Sequence, residues 1–271
     1  MPPRFEKAPW MKAAVKAGTD FHVRHSVPWQ HNLFNAACAG ALLASFVGLI
    51  LWGAVAPTWL YLPAAGLLNG VIFFAVHILV IHEASHDMFF YTKDRAQNRS
   101  LNRLAGHLAS WPFFTDYLRH WEEGHTEHHL RPCEPNDPQD RDPLDGPRLW
   151  SMYAKIALIP FVFVAYNPSR NYPGAAKRAA LGALFWLPLG TLAVMFLSWQ
   201  VVAAWVIGLH VTMALNWTKK AQEHGCGLAF EPDPLLRSRT YFYPFSFLLS
   251  PFFIHYHFEH HANFNVPWYR L

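Results

Sequence analysis

Residues 33–82 read LFNAACAGALLASFVGLILWGAVAPTWLYLPAAGLLNGVIFFAVHILVIH, fifty residues without a single Lys, Arg, Asp or Glu. A second stretch, residues 179–218, is free of charge over forty residues. A helix that crosses a bilayer needs about 20 mostly apolar residues. Each stretch therefore predicts two membrane-spanning helices joined by a tight turn, near residues 56–58 and 198–200. The alternative, buried core helices of a soluble domain, is disfavoured by two separate charge-free blocks of this length.

The charged residues lie outside these two blocks. Charged residues make up 15% of the 271-residue chain, against roughly 25% in ordinary soluble domains. All 22 Lys and Arg fall in residues 1–32, 83–178 and 219–271. Two hairpins place these three segments on one side of the membrane, and the positive-inside rule makes that side cytoplasmic. There the basic groups meet anionic lipid head groups, and no nucleic-acid partner is required.

The sequence thus predicts an all-α, multi-pass membrane protein with four transmembrane helices in two hairpins. A cytoplasmic helical cap that holds a histidine-rich dimetal site completes the predicted fold. We expect one domain over residues 1–271, made of an interfacial N-terminal segment (1–32), hairpin 1 (33–82), the first part of the cap (83–178), hairpin 2 (179–218) and the second part of the cap (219–271). Proline-rich residues 131–146 predict an irregular loop, and residues 150–166 and 241–254 predict interfacial elements.

Eight of the 17 histidines lie in three short clusters, and His224, just past the fourth predicted span and on the same side of the membrane, is a ninth candidate ligand. The first is His82-Glu-Ala-Ser-His86, and the spacing His-x-x-His-His then occurs twice. Residues i, i+3 and i+4 share a face of a helix, so each cluster is expected to aim its imidazoles at one point. Imidazole suits Zn, Cu, Fe and Ni, and a zinc ion takes four ligands. Nine candidates therefore predict two ions with four or five nitrogens each: His82, His86, His125, His128, His129, His224, His257, His260 and His261.

We call the three clusters histidine boxes. Their order, with two predicted spans between the second and the third, resembles that of the integral-membrane fatty acid desaturase/hydroxylase superfamily. The closing stretch from His260, HHANFNVPWYRL, is similar to the end of that family, and the resemblance covers about residues 33–271. It implies a non-haem centre of two Fe ions that activates O2 and attacks an unactivated C–H bond of a lipid. The ligands implied are the nine histidines above, of which His224 matches an extra ligand whose spacing varies in the family.

Carboxylates near the boxes are expected to orient imidazole N–H groups rather than to bind iron. Glu127 and Glu259 lie inside their boxes and are the preferred candidates; the others are Asp137, Glu83, Glu223 and Asp140. Eight histidines are left outside the predicted site, among them His77 and His210 within predicted spans, and His120 and His255 beside boxes but off their spacing.

The resemblance also implies two electrons from another protein. The chain has only three cysteines and carries neither a C-x-x-C-H haem motif nor a G-x-G-x-x-G fingerprint. We therefore expect a donor of the ferredoxin, rubredoxin or cytochrome b5 type, fed by its reductase. An acidic donor would suit the basic residues between Lys93 and Arg103.

The expected function is O2-dependent introduction of a double bond into an alkyl chain of a fatty acyl group or lipid. A hydroxylase or ketolase of a lipid or carotenoid stays open, because substrate placement decides between hydrogen loss and oxygen insertion. His82-Glu83-x-x-His86 also matches the zinc-protease motif H-E-x-x-H, and Leu144-Asp145-Gly146 is similar to a motif of intramembrane metalloproteases. That interpretation leaves both His-x-x-His-His boxes unexplained. A metal transporter would more typically hold its ligands at the middle of the membrane.

Overall fold

The computed structural model describes residues 9–139, 146–165, 174–244, 246 and 250–271. Within these ranges the chain is helical and has no β-strand, which confirms the predicted all-α class. The helices, numbered in chain order, are α1 (Pro9–Gly18), α2 (Pro28–Trp52), α3 (Thr58–Ser85), α4 (Arg95–Ser110), α5 (Gly124–Leu130), α6 (Gly146–Leu158), α7 (Val162–Ala165), α8 (Ala175–Phe196), α9 (Trp199–His224) and α10 (His257–Ala262).

Four of these helices, α2, α3, α8 and α9, are long and apolar enough to cross a membrane. Of their most apolar segments, 61% is buried in α3 and 39% in α9, but only 6% in α2 and 11% in α8. The outer pair leaves large side chains such as Leu43, Leu51 and Leu187 exposed. A continuous apolar surface of this kind is suited to lipid rather than to water. The chain is therefore a membrane protein with α3 and α9 at its centre.

Small residues bring α3 and α9 close together. A Cβ atom at Gly70 would lie 2.3 Å from Val211 Cγ1, and one at Gly208 would lie 2.7 Å from Asn69 Cβ. The Thr212 hydroxyl donates to the Gly70 carbonyl across the interface at 3.1 Å. Membrane helices use small residues in this way to pack their backbones tightly. This contact fixes the ends of α3 and α9, each of which carries a candidate ligand.

All four long helices extend beyond the predicted hairpin boundaries, with α3 continuing to Ser85 and α8 beginning at Ala175. Helix α2 begins at Pro28 rather than at residue 33, so residues 28–32 are part of the helix and not of a separate lead-in. Helix α9 continues past residue 218 through Lys219 and Lys220 to His224. Charged residues mark where apolar surface ends, but backbone hydrogen bonding continues past them. The predicted boundaries were therefore those of the apolar belt and not of the helices.

The C-terminal tail folds back onto the start of α2. The Trp268 indole N–H donates to Asn35 Oδ1 at 3.0 Å, and the Trp268 ring stacks on Phe34 with ring centroids 5.3 Å apart. The Tyr269 hydroxyl lies 2.8 Å from Nδ1 of the buried His31. These contacts hold α10, which precedes the tail, against the ends of the other helices.

The proline-rich segment is irregular as predicted where the structure describes it, in residues 131–139. Residues 140–145, and with them Asp140 and Asp145, lie outside the described residues. Residues 150–165 contain most of α6 and the short α7, and residue 166 lies outside the described residues. An interfacial position for this segment and for residues 241–254 stays a prediction.

Candidate metal centre

The nine candidate histidines lie in two adjacent groups. The five-histidine group consists of His82, His86, His125, His129 and His260, and the four-histidine group consists of His128, His224, His257 and His261. Within each group the possible ligand atoms all lie within 4.8 Å of one another. The two groups adjoin, since the rings of His129 and His261 have centroids 4.3 Å apart. The arrangement has the five and four nitrogens that two ions require, while the ligand role of each histidine stays a prediction.

The two groups divide the sequence boxes between them. In the second box His125 and His129 join the five-histidine group, whereas His128 joins the other. In the third box His257 and His261 belong to the four-histidine group, and His260 belongs to the five-histidine group. The expectation that each box aims at one point is therefore wrong for both. Adjacent residues on a helix diverge by about 100°, so neighbouring histidines of one box face different centres.

Wider helical turns occur at the first two boxes. Residues His77–His82 and Tyr117–Glu123 are π-helical; the first segment ends on His82, and the second leads directly into α5, which carries the second box. Such π-helical insertions are rare and occur mostly at functional sites. The second one places the Trp121 ring 5.4 Å from the His125 ring. The register of the ligands thus departs from that of a regular α-helix.

In three of the nine rings, Nδ1 is held by a hydrogen bond and Nε2 faces the centre. Three Nδ1–H groups donate away from the centre at 2.8 Å: His128 to Asp137 Oδ2, His224 to the Arg237 carbonyl and His125 to Gln139 Oε1. An imidazole held in this way carries its lone pair on Nε2. The Nε2 atoms then face each other, at 3.2 Å for His128 and His224 and at 2.9 Å for His224 and His257.

Facing lone pairs repel unless a cation lies between them. Nitrogens bound about 2.0–2.1 Å from a metal ion come to lie about 3 Å from one another. The same spacing occurs in the five-histidine group, where the Nε2 atoms of His82 and His260 are 3.0 Å apart. Nε2 of His86 is buried without a hydrogen-bond partner among the described residues. The side chains therefore fit two metal ions.

Burial keeps these imidazoles in the form that binds metal. Desolvation lowers the pKa of His86 to about 3. It also lowers the pKa of His125, His129, His260 and His261 well below the usual value, and mutual repulsion among the neighbouring histidines adds to the shift. Since a proton competes with a metal for the same lone pair, neutral rings are ready to bind.

Acidification is expected to destabilise the metal-free protein. A buried histidine stays neutral in the folded protein, whereas in the unfolded chain its pKa is 6.5. Below that pH the unfolded chain therefore binds more protons than the folded protein. The free energy of unfolding is therefore unaffected by this group above pH 6.5 and decreases progressively as the pH falls below it. Melting temperatures in detergent, measured on both sides of this pH, test the expectation. The exposed His25→Asn variant should keep the profile, and a melting temperature independent of pH would contradict it.

The preferred carboxylates do not orient imidazoles. Glu127 is half exposed and pairs with Arg131 at 2.7 Å, and Glu259 accepts a hydrogen bond from the Thr240 hydroxyl. Both glutamates stand two residues after the first histidine of their box, and residues i and i+2 of a helix do not face each other. Asp137, one of the other candidates, is buried and accepts from His128. The loop after the box, and not the box itself, supplies this supporting carboxylate.

Other supporting groups come from α9 and from the same loop. Glu223 Oε1 lies 3.2 Å from His257 Nδ1, while its Oε2 pairs with Lys219 at 2.6 Å. Glu83 lies 3.7 Å from His82 Nδ1, beyond hydrogen-bonding distance. Sequence reasoning missed Gln139 and the Arg237 carbonyl. An amide in a proline-rich loop and a main-chain oxygen carry no recognisable sequence signal.

The histidines left out of the prediction also lie outside both groups. His77 is buried between the rings of Phe113 and Trp121, with ring centroids 5.1 and 4.9 Å away. His210 lies 2.7 Å from the Ile156 carbonyl through Nδ1. His120 and His255 are buried, yet neither joins a group.

Four apolar helices and nine histidines in two adjacent groups define a histidine-rich membrane metalloprotein. The model of the fatty acid desaturase family matches residues 57–271. The chain therefore belongs to this family, as the three histidine boxes implied. No curated protein and no solved structure matches the chain.

The zinc-protease interpretation gains no support from this geometry. A catalytic zinc site uses three protein ligands and keeps one position open. His82 and His86 instead share their group with three further imidazoles. The proposed third protease ligand, Asp145, lies outside the described residues.

Proposed function

We propose that this protein uses two iron ions and O2 to introduce a double bond into an unactivated alkyl chain of a fatty acyl group or lipid. The observation that carries the proposal is the division of nine imidazoles into groups of five and four. The carboxylates that contact these imidazoles support them from outside, so the ligands themselves are neutral. Neutral ligands leave more positive charge on an oxidised metal pair than carboxylates do, which favours attack on a strong C–H bond.

The reaction requires two electrons from outside. One –CH2–CH2– unit, O2, two electrons and two protons give one –CH=CH– unit and two molecules of water. Iron held by the two histidine groups would supply O2 activation and hydrogen abstraction. The chain's own part is to hold the imidazoles in fixed directions, for which Asp137 orients His128 and Gln139 orients His125. Loss of such a supporting contact typically lowers metal affinity or activity 10–100-fold.

Apolar walls beside the site support an alkyl substrate. The Phe264 ring lies 5.8 Å from the His86 ring and 5.5 Å from the His129 ring, and Trp121 covers His125. A separate cavity of about 550 Å³, whose lining contains none of the nine histidines, lies between α8 and α9 and is lined by residues that include Phe114, Phe163, Trp186 and Leu209. Apolar cavities of this size are typical of small-molecule sites. We propose that the alkyl chain reaches the metal centre from the membrane.

We further propose that the histidine boxes and both termini face the cytoplasm, as the placement of Lys and Arg indicates. The donor would then be a ferredoxin, rubredoxin or cytochrome b5 type protein with its reductase. The structure modifies one part of this idea, because Arg99 and Arg103 both pair with Glu122 at 2.6 Å. Their charge is partly offset within the chain, which reduces their attraction for an acidic donor.

Expression with a donor and its reductase, under O2, is expected to change the lipids of the host membrane. Mass spectrometry should find lipids that have lost two hydrogen atoms, whereas a gain of one oxygen atom would indicate a hydroxylase. An anaerobic culture provides the control. Unchanged lipids, together with purified protein that holds zinc and no iron, would contradict the proposal.

A further inference from the structure

The members of the four-histidine group lie on three different helices. Its histidines come from α5, from the end of α9 and from α10, which are joined by long connections. His128 and His224 stand 96 residues apart in the chain, yet their Nε2 atoms lie 3.2 Å from each other. The loop after α5 and the segment after α9 are in contact, and this contact links the two candidate ligands.

Arg237 makes this contact from two ends. Its carbonyl oxygen accepts from His224 Nδ1 at 2.8 Å. Its guanidinium donates to the Pro132 carbonyl at 3.0 Å and lies 3.4 Å from Glu134 Oε1, both in the loop that follows α5. A third bond, from Nε to the Glu231 carbonyl at 2.7 Å, fixes the side chain, which is only 14% exposed.

The loop transmits this anchoring to His128. Asp137 Oδ2 accepts from the Cys133 N–H at 2.7 Å and from His128 Nδ1 at 2.8 Å. Cys133 adopts a positive φ of 63°, a conformation uncommon for residues other than glycine. The loop is thus held in an unusual shape by Arg237 on one side and by Asp137 on the other. The Arg237 side chain thereby acts on His128 through the loop and Asp137, and the Arg237 main chain holds His224 directly.

We propose that Arg237 is a positioning residue that sets the separation of His128 and His224, so that its loss weakens metal binding in the four-histidine group selectively. The five-histidine group has further contacts in this region, besides the Gln139 N–H that donates to Asp137 Oδ1 at 2.8 Å. Gln139, which holds His125, receives a bond from Lys220 Nζ at 2.8 Å and donates to the His120 carbonyl at 2.9 Å. The identity of the ion as iron rests on the proposed function, but the selective effect does not.

The test is a Co2+ titration of metal-free protein in detergent, followed by visible absorption. We expect two binding steps in the unaltered protein. Arg237→Lys keeps the charge but cannot donate in the planar, forked geometry of Arg. It should weaken one step by about 10–100-fold and leave the other unchanged. Arg131→Lys, on the same loop but paired with the exposed Glu127, is the matched control and should keep both steps.

Asp137→Asn and the double variant show whether the effect follows the path through the loop. Asp137→Asn should weaken the same step as Arg237→Lys, and the double variant should lose less than the product of the two single losses. Gln139→Ala should weaken the other step. Two unchanged steps in Arg237→Lys, or equal weakening of both, would overturn the proposal. Lipid turnover and native metal identity test the proposed function separately, so each can fail alone.

Discussion

Deletion of residues 257–271 is expected to abolish both metal binding and activity while membrane insertion persists. The deletion removes His260 from the five-histidine group and both His257 and His261 from the four-histidine group. It also removes Trp268, whose bond to Asn35 holds the tail against α2. The four long apolar helices end before residue 257, so nothing that determines insertion is lost. The remaining metal affinity should fall by much more than the roughly 10–100-fold that loss of a supporting contact costs.

Metal content of purified protein and carbonate-resistant membrane association measure the two outcomes together. A shorter deletion of residues 270–271 is the matched control, since it leaves every histidine and both Trp268 and Tyr269 in place. That control should retain its metal. A protein without residues 257–271 that still bound two ions would show that α10 does not supply ligands.

Alanine substitutions at the adjacent residues His128 and His129 are expected to disable different groups. His129 belongs to the five-histidine group and His128 to the four-histidine group. Each variant should lose about half of its metal and nearly all of its activity, because O2 activation requires both ions of the pair. In the Co2+ titration, His128→Ala should remove the step that Arg237→Lys weakens, and His129→Ala should spare that step.

Three comparisons make the result specific. His25→Asn, at an exposed position, controls for the loss of any histidine. His261→Ala should reproduce the pattern of His128→Ala, although it lies in another box, since the two share a group. If instead variants of one box behaved alike, and differently from the other box, the division seen in the structure would be wrong.

Much of the site could be predicted because histidine spacing is a strong local signal. The three boxes and His224 identify the nine residues that the structure brings together. The supporting residues could be predicted only in part. Periodicity alone places Glu127 and Glu259 on the side opposite to the first histidine of each box, so their rejection needed no structure. Gln139 and the Arg237 carbonyl needed one, because their roles depend on a loop that no sequence period describes.

The sequence by itself determined the helical class, the four apolar helices, the family and the nine clustered histidines. Hydropathy and residue spacing are local properties, and a membrane restricts long apolar stretches to helices. Only the tertiary structure decided which histidine joins which group, and which contacts outside the groups fix their rings. Those outcomes depend on the π-helical turns that end on His82 and precede His125, on the close packing of α3 against α9 and on the tail folding back over α2. The helix packing and the folded-back tail bring together residues far apart in the chain, and such contacts depend on the whole fold.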